Sequence, residues 1–439
     1  MANEGFAASI VPPRPSLDTR IAEAGFVLLL LLIFVGLQPF DLRTQASLGA
    51  RALSSASGDS LRQVAFLGVF VLIAYSAGRK HGFAALRAMP VMLGLLLAWC
   101  LLSATWADEP GVVARRAILA ILYASSVMLS VDTLGSARAF ALWRAVLIAV
   151  ILVDWVSVAL VHNAVHQPDD VEADLAGSWR GVHPHKNAAG AVAATAAAMF
   201  FFLSITTKKK LDIFMLFASL GFLVMSRSKS SMGLLPLALA AGGLYRVAWR
   251  SKLDRAIAAT AAALFLLLFA VAVAVQWEFI ARFFEDPQHF TGRSAIWQAE
   301  LAFVRDHPLF GAGYGTFGNT GVRSPIYAYV GGGWVAEIGE GHSGYLEMLV
   351  TIGGIGFVIG MIGLVVQPFL QFWQSERSDA AVNALLFTLF FFAVLHNFME
   401  SDFIEGTAAQ WGQYLLLLAL LRVSLREMRE QKAAVPWTA

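Results

Sequence analysis

The side chains in this sequence best suited to chemistry are arginines and one histidine. Arg180, Arg227 and Arg293 stand in three separate polar stretches of an otherwise apolar chain. A guanidinium fork grips phosphate oxygens in pairs and stays charged in a low dielectric. Three such forks converging at a membrane surface would hold a diphosphate. His342, in Gly341-His342-Ser343-Gly344-Tyr345, is the type of side chain whose free pKa suits proton transfer near neutrality, and Glu347 follows one turn deeper. With a diphosphate as leaving group, little acid catalysis is needed. The arginines hold the departing charge and His342 accepts a proton from an attacking hydroxyl. A histidine at a water–lipid boundary can also be a plain polar anchor. Its place at the end of a long polar segment favours the functional reading.

Further polar residues flank these four. His183, His185 and Lys186 cluster with Arg180 in GSWRGVHPHKNAAGAVAATAAAM, and Lys229 follows Arg227 in SRSKSS. They are supporting candidates together with Glu347. A His-x-His pair without a carboxylate at fixed spacing is a weak zinc signature, so no metal and no cofactor is expected.

The elements that must position these residues are membrane helices. Hydrophobic residues make up 58% of the 439 and charged residues 14%, with a mean hydropathy of +0.66. Soluble domains are nearer half apolar and a quarter charged, so composition predicts an all-α polytopic membrane protein. A net charge of +2 argues against nucleic acid as a partner. The lone Cys100 excludes an intrachain disulfide and a cysteine zinc site. Apolar stretches fall at 22–39, 61–78, 86–104, 112–132, 139–161, 187–206, 211–226, 231–249, 254–276, 342–373, 381–399 and 407–424. By the length needed to cross a bilayer, this predicts about twelve spans, the first of them an uncleaved anchor rather than a signal.

Lys and Arg set the orientation. Arg79-Lys80, Lys208 to Lys210, Arg246 to Arg255 and Arg422 to Lys432 all fall on one side, which the positive-inside rule makes cytoplasmic together with both termini. The expected organisation is a cytoplasmic segment 1–21, helices over 22–276, a large periplasmic loop 277–341, helices over 342–424 and a cytoplasmic tail 425–439. The segment 211–249 reads as a tight hairpin of two spans. Its tip places Arg227 and Lys229 on the disfavoured side, as an anionic target or lipid headgroup contact would explain.

The loop from Trp277 to Gly341 is the largest polar interruption of the chain. Ile296, Trp297, Glu300, Leu301 and Val304 recur at helical spacing, which predicts an amphipathic helix over Arg293–Asp306 lying on the membrane surface and stopped by His307-Pro308. The following Gly311-Ala312-Gly313-Tyr314-Gly315 superficially resembles a dinucleotide loop, but no strand precedes it. It reads instead as a flexible turn that lets the chain approach a substrate or another helix. Asn187 is the expected N-cap of the small-residue helix that follows the His183–His185 turn, and that helix should pack closely on a neighbour.

Arg180 to Asn187, Ser226 to Ser228, Gly292 to Gly313 and His342 to Gly356 together resemble the O-antigen ligase/Wzy-type polymerase superfamily. The resemblance covers roughly Leu175 to Leu364, and it is carried by the ordered set rather than by any one motif. It implies a multispanning, metal-independent, inverting glycosyltransferase of the bacterial inner membrane. Such an enzyme takes glycan from an undecaprenyl-diphosphate carrier at the periplasmic face. On that resemblance Arg180, Arg227 and Arg293 would contact the diphosphate, and His342 would activate the acceptor. His185–Asn187, the HSGYL at His342 and NFMESDF at Asn397–Phe403 look more like exopolysaccharide polymerases of the ExoQ type than lipid A-core ligases. The partners implied are the lipid-linked donor, a glycan or lipid-linked acceptor, membrane lipids, and chain-length regulator and export proteins.

A transporter or flippase is the rival class. It would be expected to show internal repeats, interrupted helices or charges near mid-membrane. No repeat is visible, and Asp154 is the clearest deep charge. A scaffold would not need three outward arginines with histidines, and ranks last.

Overall fold

The computed structural model of the chain describes residues 16–41, 59–170, 173–248, 293–318, 323–330, 341–374 and 380–434, with isolated positions between 251 and 260 and residue 320. The described residues are helical, and their one β-bridge joins Val165 to Trp179. In chain order the helices are α1 (Leu17–Phe34), α2 (Ser60–His81), α3 (Val91–Leu102), α4 (Pro110–Leu134), α5 (Ser136–Leu160), α6 (Lys186–Thr207), α7 (Lys210–Ser226) and α8 (Lys229–Ala248). Then follow α9 (Arg293–Asp306), α10 (Gly344–Gly360), α11 (Gln367–Gln374), α12 (Ala380–His396) and α13 (Ala409–Ala434). The expected apolar stretches fall on these helices, 342–373 covering both α10 and α11, except 254–276, which lies almost wholly outside the described residues. Among the described residues six helical segments are long and apolar enough to cross a membrane, and α3 and α12 are shorter apolar helices. The chain is a multi-pass membrane protein.

Local sequence sets the helix ends. Ser16 and Asp59 cap α1 and α2 by accepting from the backbone N–H groups of Thr19 and Arg62, and Pro110 occupies the first turn of α4. Two helices run through the middle of the bundle. The residues of α6 from Ala189 to Phe200, and of α13 from Trp411 to Leu421, are buried on all sides, as suits helices surrounded by others. Small residues let α6 lie close to its neighbours. A Cβ on Gly190 would come within 2.3 Å of Ser228 Cβ, so only glycine admits that approach. The expected 211–249 hairpin is not tight. Its helices diverge from the Arg227 turn, α7 packing on α6 while α8 packs on α12.

One helix is broken. Gly353 inside α10 has φ 67° and ψ −179°, and the chain around residues 308–313 fills the gap. Ala312 and Gly313 N–H donate to the carbonyls of Val350 and Thr351 at 2.8 and 2.9 Å, while Gly354 and Ile355 N–H donate to Pro308 and Leu309 carbonyls at 2.9 and 3.3 Å. The backbone groups freed by the break are thereby satisfied by protein, as a low-dielectric setting demands. The glycine turn is therefore a docked bracket rather than a flexible one. A Cβ on Gly353 would lie 2.2 Å from Leu309 O, which explains why glycine stands there. Tyr314 fastens the bracket further, with its N–H on Ser103 Oγ at 2.9 Å and its hydroxyl on Ile404 O at 2.5 Å.

The bundle has two chemically different ends. At one, Lys80 bonds Thr133 O, Arg422 bonds Arg87 O, Arg426 pairs with Asp132 and Arg144 with Asp212. All the basic loops used above to orient the chain for which residues are described gather at this end. The opposite end holds the turns before α6, α8 and α10 and the segment between α12 and α13.

Candidate functional site

The helices α6, α8 and α10 all begin at that second end, so their positive N-terminal poles face the same region. The segment between α12 and α13 closes over it. Asn397, fully buried, organises this segment through Oδ1, which accepts from the N–H groups of Asp402 and Phe403 at 3.2 and 2.8 Å. The segment in turn grips the start of α10. Gly344 N–H donates to the carbonyls of Asn397 and Glu400, and Ser343 N–H to Ser401 Oγ.

Glu400 is the centre of the arrangement. Its Oε1 accepts from Arg293 Nη2 at 2.8 Å and from Asn187 Nδ2 at 2.9 Å, with Ser230 Oγ at 3.5 Å. Its Oε2 faces His342 Nδ1 at 3.4 Å. Arg293 also donates through Nη1 to Met399 O. One carboxylate thus gathers side chains from α6, α8, α9 and the turn before α10. Burial alone would raise the Glu400 carboxyl. The His342 hydrogen bond and the charges of Arg293, His396 and His342 outweigh it and hold the pKa down to about 2. Glu400 is a carboxylate at any working pH.

His342 adopts a left-handed backbone, φ 51°, unusual for a residue with a Cβ. Its side chain is 29% exposed, so the ring is held at Nδ1 while part of it still meets the surroundings. A carboxylate on Nδ1 selects the tautomer with the proton there and leaves Nε2 as an acceptor, the relationship by which an acid orients a catalytic histidine.

The other expected site residues are placed unequally. Arg227 is exposed at the α7–α8 turn, φ 53°, with Nη1 on Ala176 O at 3.3 Å. Lys186 Nζ donates to Arg227 O at 3.0 Å, and Lys229 is exposed two residues on. These cations sit beside Asn187 and Ser230, and hence beside the Glu400 cluster. Arg180 is different. It is 2% exposed and its guanidinium donates to Asn163 O, Pro184 O and Asp41 O. In this structure backbone carbonyls of its own loop and of the segment after α1 engage the Arg180 fork.

The histidines of that loop also diverge. His183 Nε2 meets buried Asp154 at 3.2 Å, and Asp154 accepts from Val182 N–H at 2.9 Å. His185, not Asn187, caps α6 by accepting from Asn187 N–H at 3.2 Å. That leaves the Asn187 amide free to reach Glu400. Glu347 accepts from Gly341 N–H at 3.3 Å, directly before His342. The predicted helix Arg293–Asp306 is present residue for residue. Its inward face, Ser294, Ile296, Ala299, Glu300 and Phe303, packs on protein, chiefly α10, rather than lying free on a surface.

A second histidine ties the closing segment to the Arg227 turn. His396 Nδ1 meets Asp402 Oδ2 at 2.6 Å, and its Nε2 meets Ser231 Oγ at 3.1 Å, to which Ser228 Oγ donates. The order Asp, His, Ser has the outline of a hydrolytic triad, but Ser231 is completely buried and cannot reach a substrate. The chain is a brace.

Sequence reasoning missed Glu400, Asn187 and Ser230 as site residues. NFMESDF at Asn397–Phe403 drew attention only by its resemblance to a family pattern. A glutamate and an aspartate in a short break between apolar stretches are a signal in themselves. In comparison with known proteins, residues 213–361 match the family model described as O-Antigen ligase. That match includes the Arg227 turn, Arg293 and His342, and excludes Glu400 and the α6 N-terminus. No curated protein matches the sequence.

Proposed function

We propose that this membrane protein, which matches the O-antigen ligase family model over residues 213–361, transfers glycan from a lipid-linked diphosphate to an acceptor hydroxyl at the Glu400 end of the bundle. The observation that carries this reading is the single carboxylate shared by Arg293 and His342. Glu400 fixes the His342 proton on Nδ1. His342 Nε2 takes the proton of the acceptor hydroxyl as its oxygen bonds to the anomeric carbon. The bond from that carbon to the diphosphate oxygen breaks, and the electron pair leaves with the diphosphate. Attack from the face opposite the leaving group inverts the anomeric centre. Arg227, Lys186 and Lys229, with the N-terminal poles of α6 and α8, receive the departing charge. In this reading Arg293 orients Glu400 and lines the same anionic site, and the charge is met by cationic side chains rather than by a metal.

The positive-inside rule, applied to the basic end of the bundle, supports a site at the periplasmic face of a bacterial inner membrane. The carrier is undecaprenyl diphosphate and the reaction is polymerisation of an exopolysaccharide or O-antigen, as the HKN, HSGYL and NFMESDF patterns support. The second reading, transfer onto lipid A-core, is favoured by the description of the matching family model and differs only in the acceptor. Transport is less well supported. The break in α10 is filled by the backbone of residues 308–313, which takes up the N–H groups and carbonyls that a transporter would turn to its cargo. Asp154 is likewise engaged, by His183 and Val182.

Arg293→Ala and His342→Ala should abolish glycan assembly while the protein inserts normally, and unchanged polymer length and yield would overturn the assignment. A deletion strain separates the readings. Single repeats accumulating on the carrier mean polymerase, long chains stranded on it mean ligase, and failure to present any lipid-linked glycan outside means flippase.

A further inference from the structure

Against the residue that precedes His342 lies a second acid for which the reaction above has no use. Glu300, on the inward face of α9, is 1% exposed, and neither of its carboxyl oxygens has a hydrogen-bond partner among the described residues. It presses on the residue before the histidine. A Cβ built on Gly341 would lie 1.8 Å from Glu300 Oε1. The same glycine is held twice more, its N–H by Glu347 Oε2 at 3.3 Å and its carbonyl by Trp297 Nε1–H at 2.9 Å. The peptide that leads into His342 is therefore clamped between α9 and the first turn of α10, with a carboxyl group on each side.

A buried carboxylate without a donor is costly enough that such a group keeps its proton instead. Burial, and then the charge of Glu347, push the Glu300 carboxyl well above the usual carboxylate range. The other charged groups facing this place come from each neighbouring element. Arg116 of α4 faces Glu347 and also Glu405. Arg293, two turns before Glu300 on the same face of α9, is turned to Glu400, as is His342. Arg305 and Asp306 are exposed at the far end of α9, Asp306 bonded to Tyr329. Among the described residues none of these supplies Glu300 with a counter-charge.

We propose that Glu300 and Glu347 hold one proton between them across Gly341, and that Glu300 is thereby a positioning residue for His342. The proposal rests on the reading of His342 as the base. A left-handed histidine is a strained conformation that persists only where its surroundings enforce it. The clamp on Gly341 supplies that enforcement while one proton is present. Loss of the proton sets two like charges against one peptide, drives α9 away from α10 and releases the histidine.

The test uses the full-length protein in lipid nanodiscs. Infrared spectra at neutral pH should contain a protonated-carboxyl stretch that Glu300→Gln removes and that fades as pH rises. Glu300→Gln, which keeps the neutral shape, should transfer glycan within about threefold of wild type and lose the alkaline fall in rate. Glu300→Ala should lower kcat by at least about tenfold with the donor KM unchanged. A wild-type spectrum with no band sensitive to Glu300→Gln, or wild-type turnover in Glu300→Ala, overturns the proposal. The two failures separate, because an unaltered rate in His342→Ala removes the base reading, whereas a missing band removes the shared proton.

Discussion

Arg293 and His342 hold opposite oxygens of one carboxylate, Arg293 Nη2 on Glu400 Oε1 at 2.8 Å and His342 Nδ1 on Oε2 at 3.4 Å. The cation and the histidine come from different elements, and neither is positioned by its own helix alone. Asn187 and Ser230 share Oε1, so the starts of α6 and α8 are registered against the same atom. Shifts at any of these elements must pass through Glu400.

Glu400→Gln should therefore be nearly as damaging as loss of the histidine itself. The amide keeps the shape but removes the charge that pairs with Arg293, and it no longer dictates which His342 nitrogen carries the proton. A fall in kcat of roughly 10²–10⁴ is expected, the range seen when an orienting acid or a proton-transfer group is removed. Transfer from a purified lipid-linked donor, with the folded fraction checked by thermal unfolding, measures it. A rate close to wild type would remove Glu400 from the centre of the site.

The two buried acids should mark the stability curve with opposite signs. The Glu400 pKa falls on folding from an ordinary 4.5 to about 2, so its contribution is present above 4.5 and is lost as pH drops toward 2. Glu300 is raised on folding, so its contribution is complete below its unfolded value and is lost as pH climbs through the folded one. Unfolding in detergent across pH tests both. Relative to wild type, Glu400→Gln should be destabilised at pH 6 and converge with it near pH 2. Glu300→Gln should gain on wild type as pH rises above about 4.5. Parallel curves for wild type and either variant would show that acid to be no different folded and unfolded.

Much of this was legible beforehand, because apolar length and helical spacing are local properties. The helix Arg293–Asp306, the arginine turn at Arg227 and the placing of His342 at the head of a helix all follow from such signals. Contacts between distant segments were not legible. The carbonyls of Asn163, Pro184 and Asp41 that meet the Arg180 fork lie in segments whose approach only the fold reveals. Asn187 looked like a cap because asparagine favours that position, whereas His185 caps and Asn187 serves Glu400. The glycines of residues 311–315 read as freedom. Their real partner is the break at Gly353, forty residues on, which spacing within the turn cannot reveal.

That break gives a prediction about stability alone. Gly353→Ala places a Cβ 2.2 Å from Leu309 O at φ 67°, so both strain and a backbone collision oppose it. Gly243→Ala, on α8 with open space around it, should be neutral or stabilise by up to about 1 kcal/mol. Gly353→Ala should cost more than about 2 kcal/mol by the loss of backbone pairing and strain together. Thermal unfolding of the two variants side by side is the measurement. Equal midpoints would mean that α10 can close its break and that residues 308–313 are not required to fill it.

Asn187 offers the sharpest test of the shared carboxylate. Its amide donates to Glu400 Oε1 at 2.9 Å, so Asn187→Asp exchanges a donor for a second negative charge at the same distance. Two carboxylates so close cannot both ionise without a large penalty, and the pair retains a proton that Glu400 alone does not. Near neutrality the variant either holds that proton, weakening the Glu400 grip on Arg293 and His342, or expels one side chain from the cluster. Transfer should fall by roughly 10- to 100-fold at pH 7, while Asn187→Ala, which merely deletes one hydrogen bond, should lose less than about tenfold. Donor-concentration series at several pH values distinguish the two variants. The aspartate variant should show a displaced pH profile and the alanine variant the wild-type shape. Identical profiles would mean that Asn187 contributes only to the packing of α6, and that the Glu400 cluster is made by Arg293, His342 and Ser230 without it.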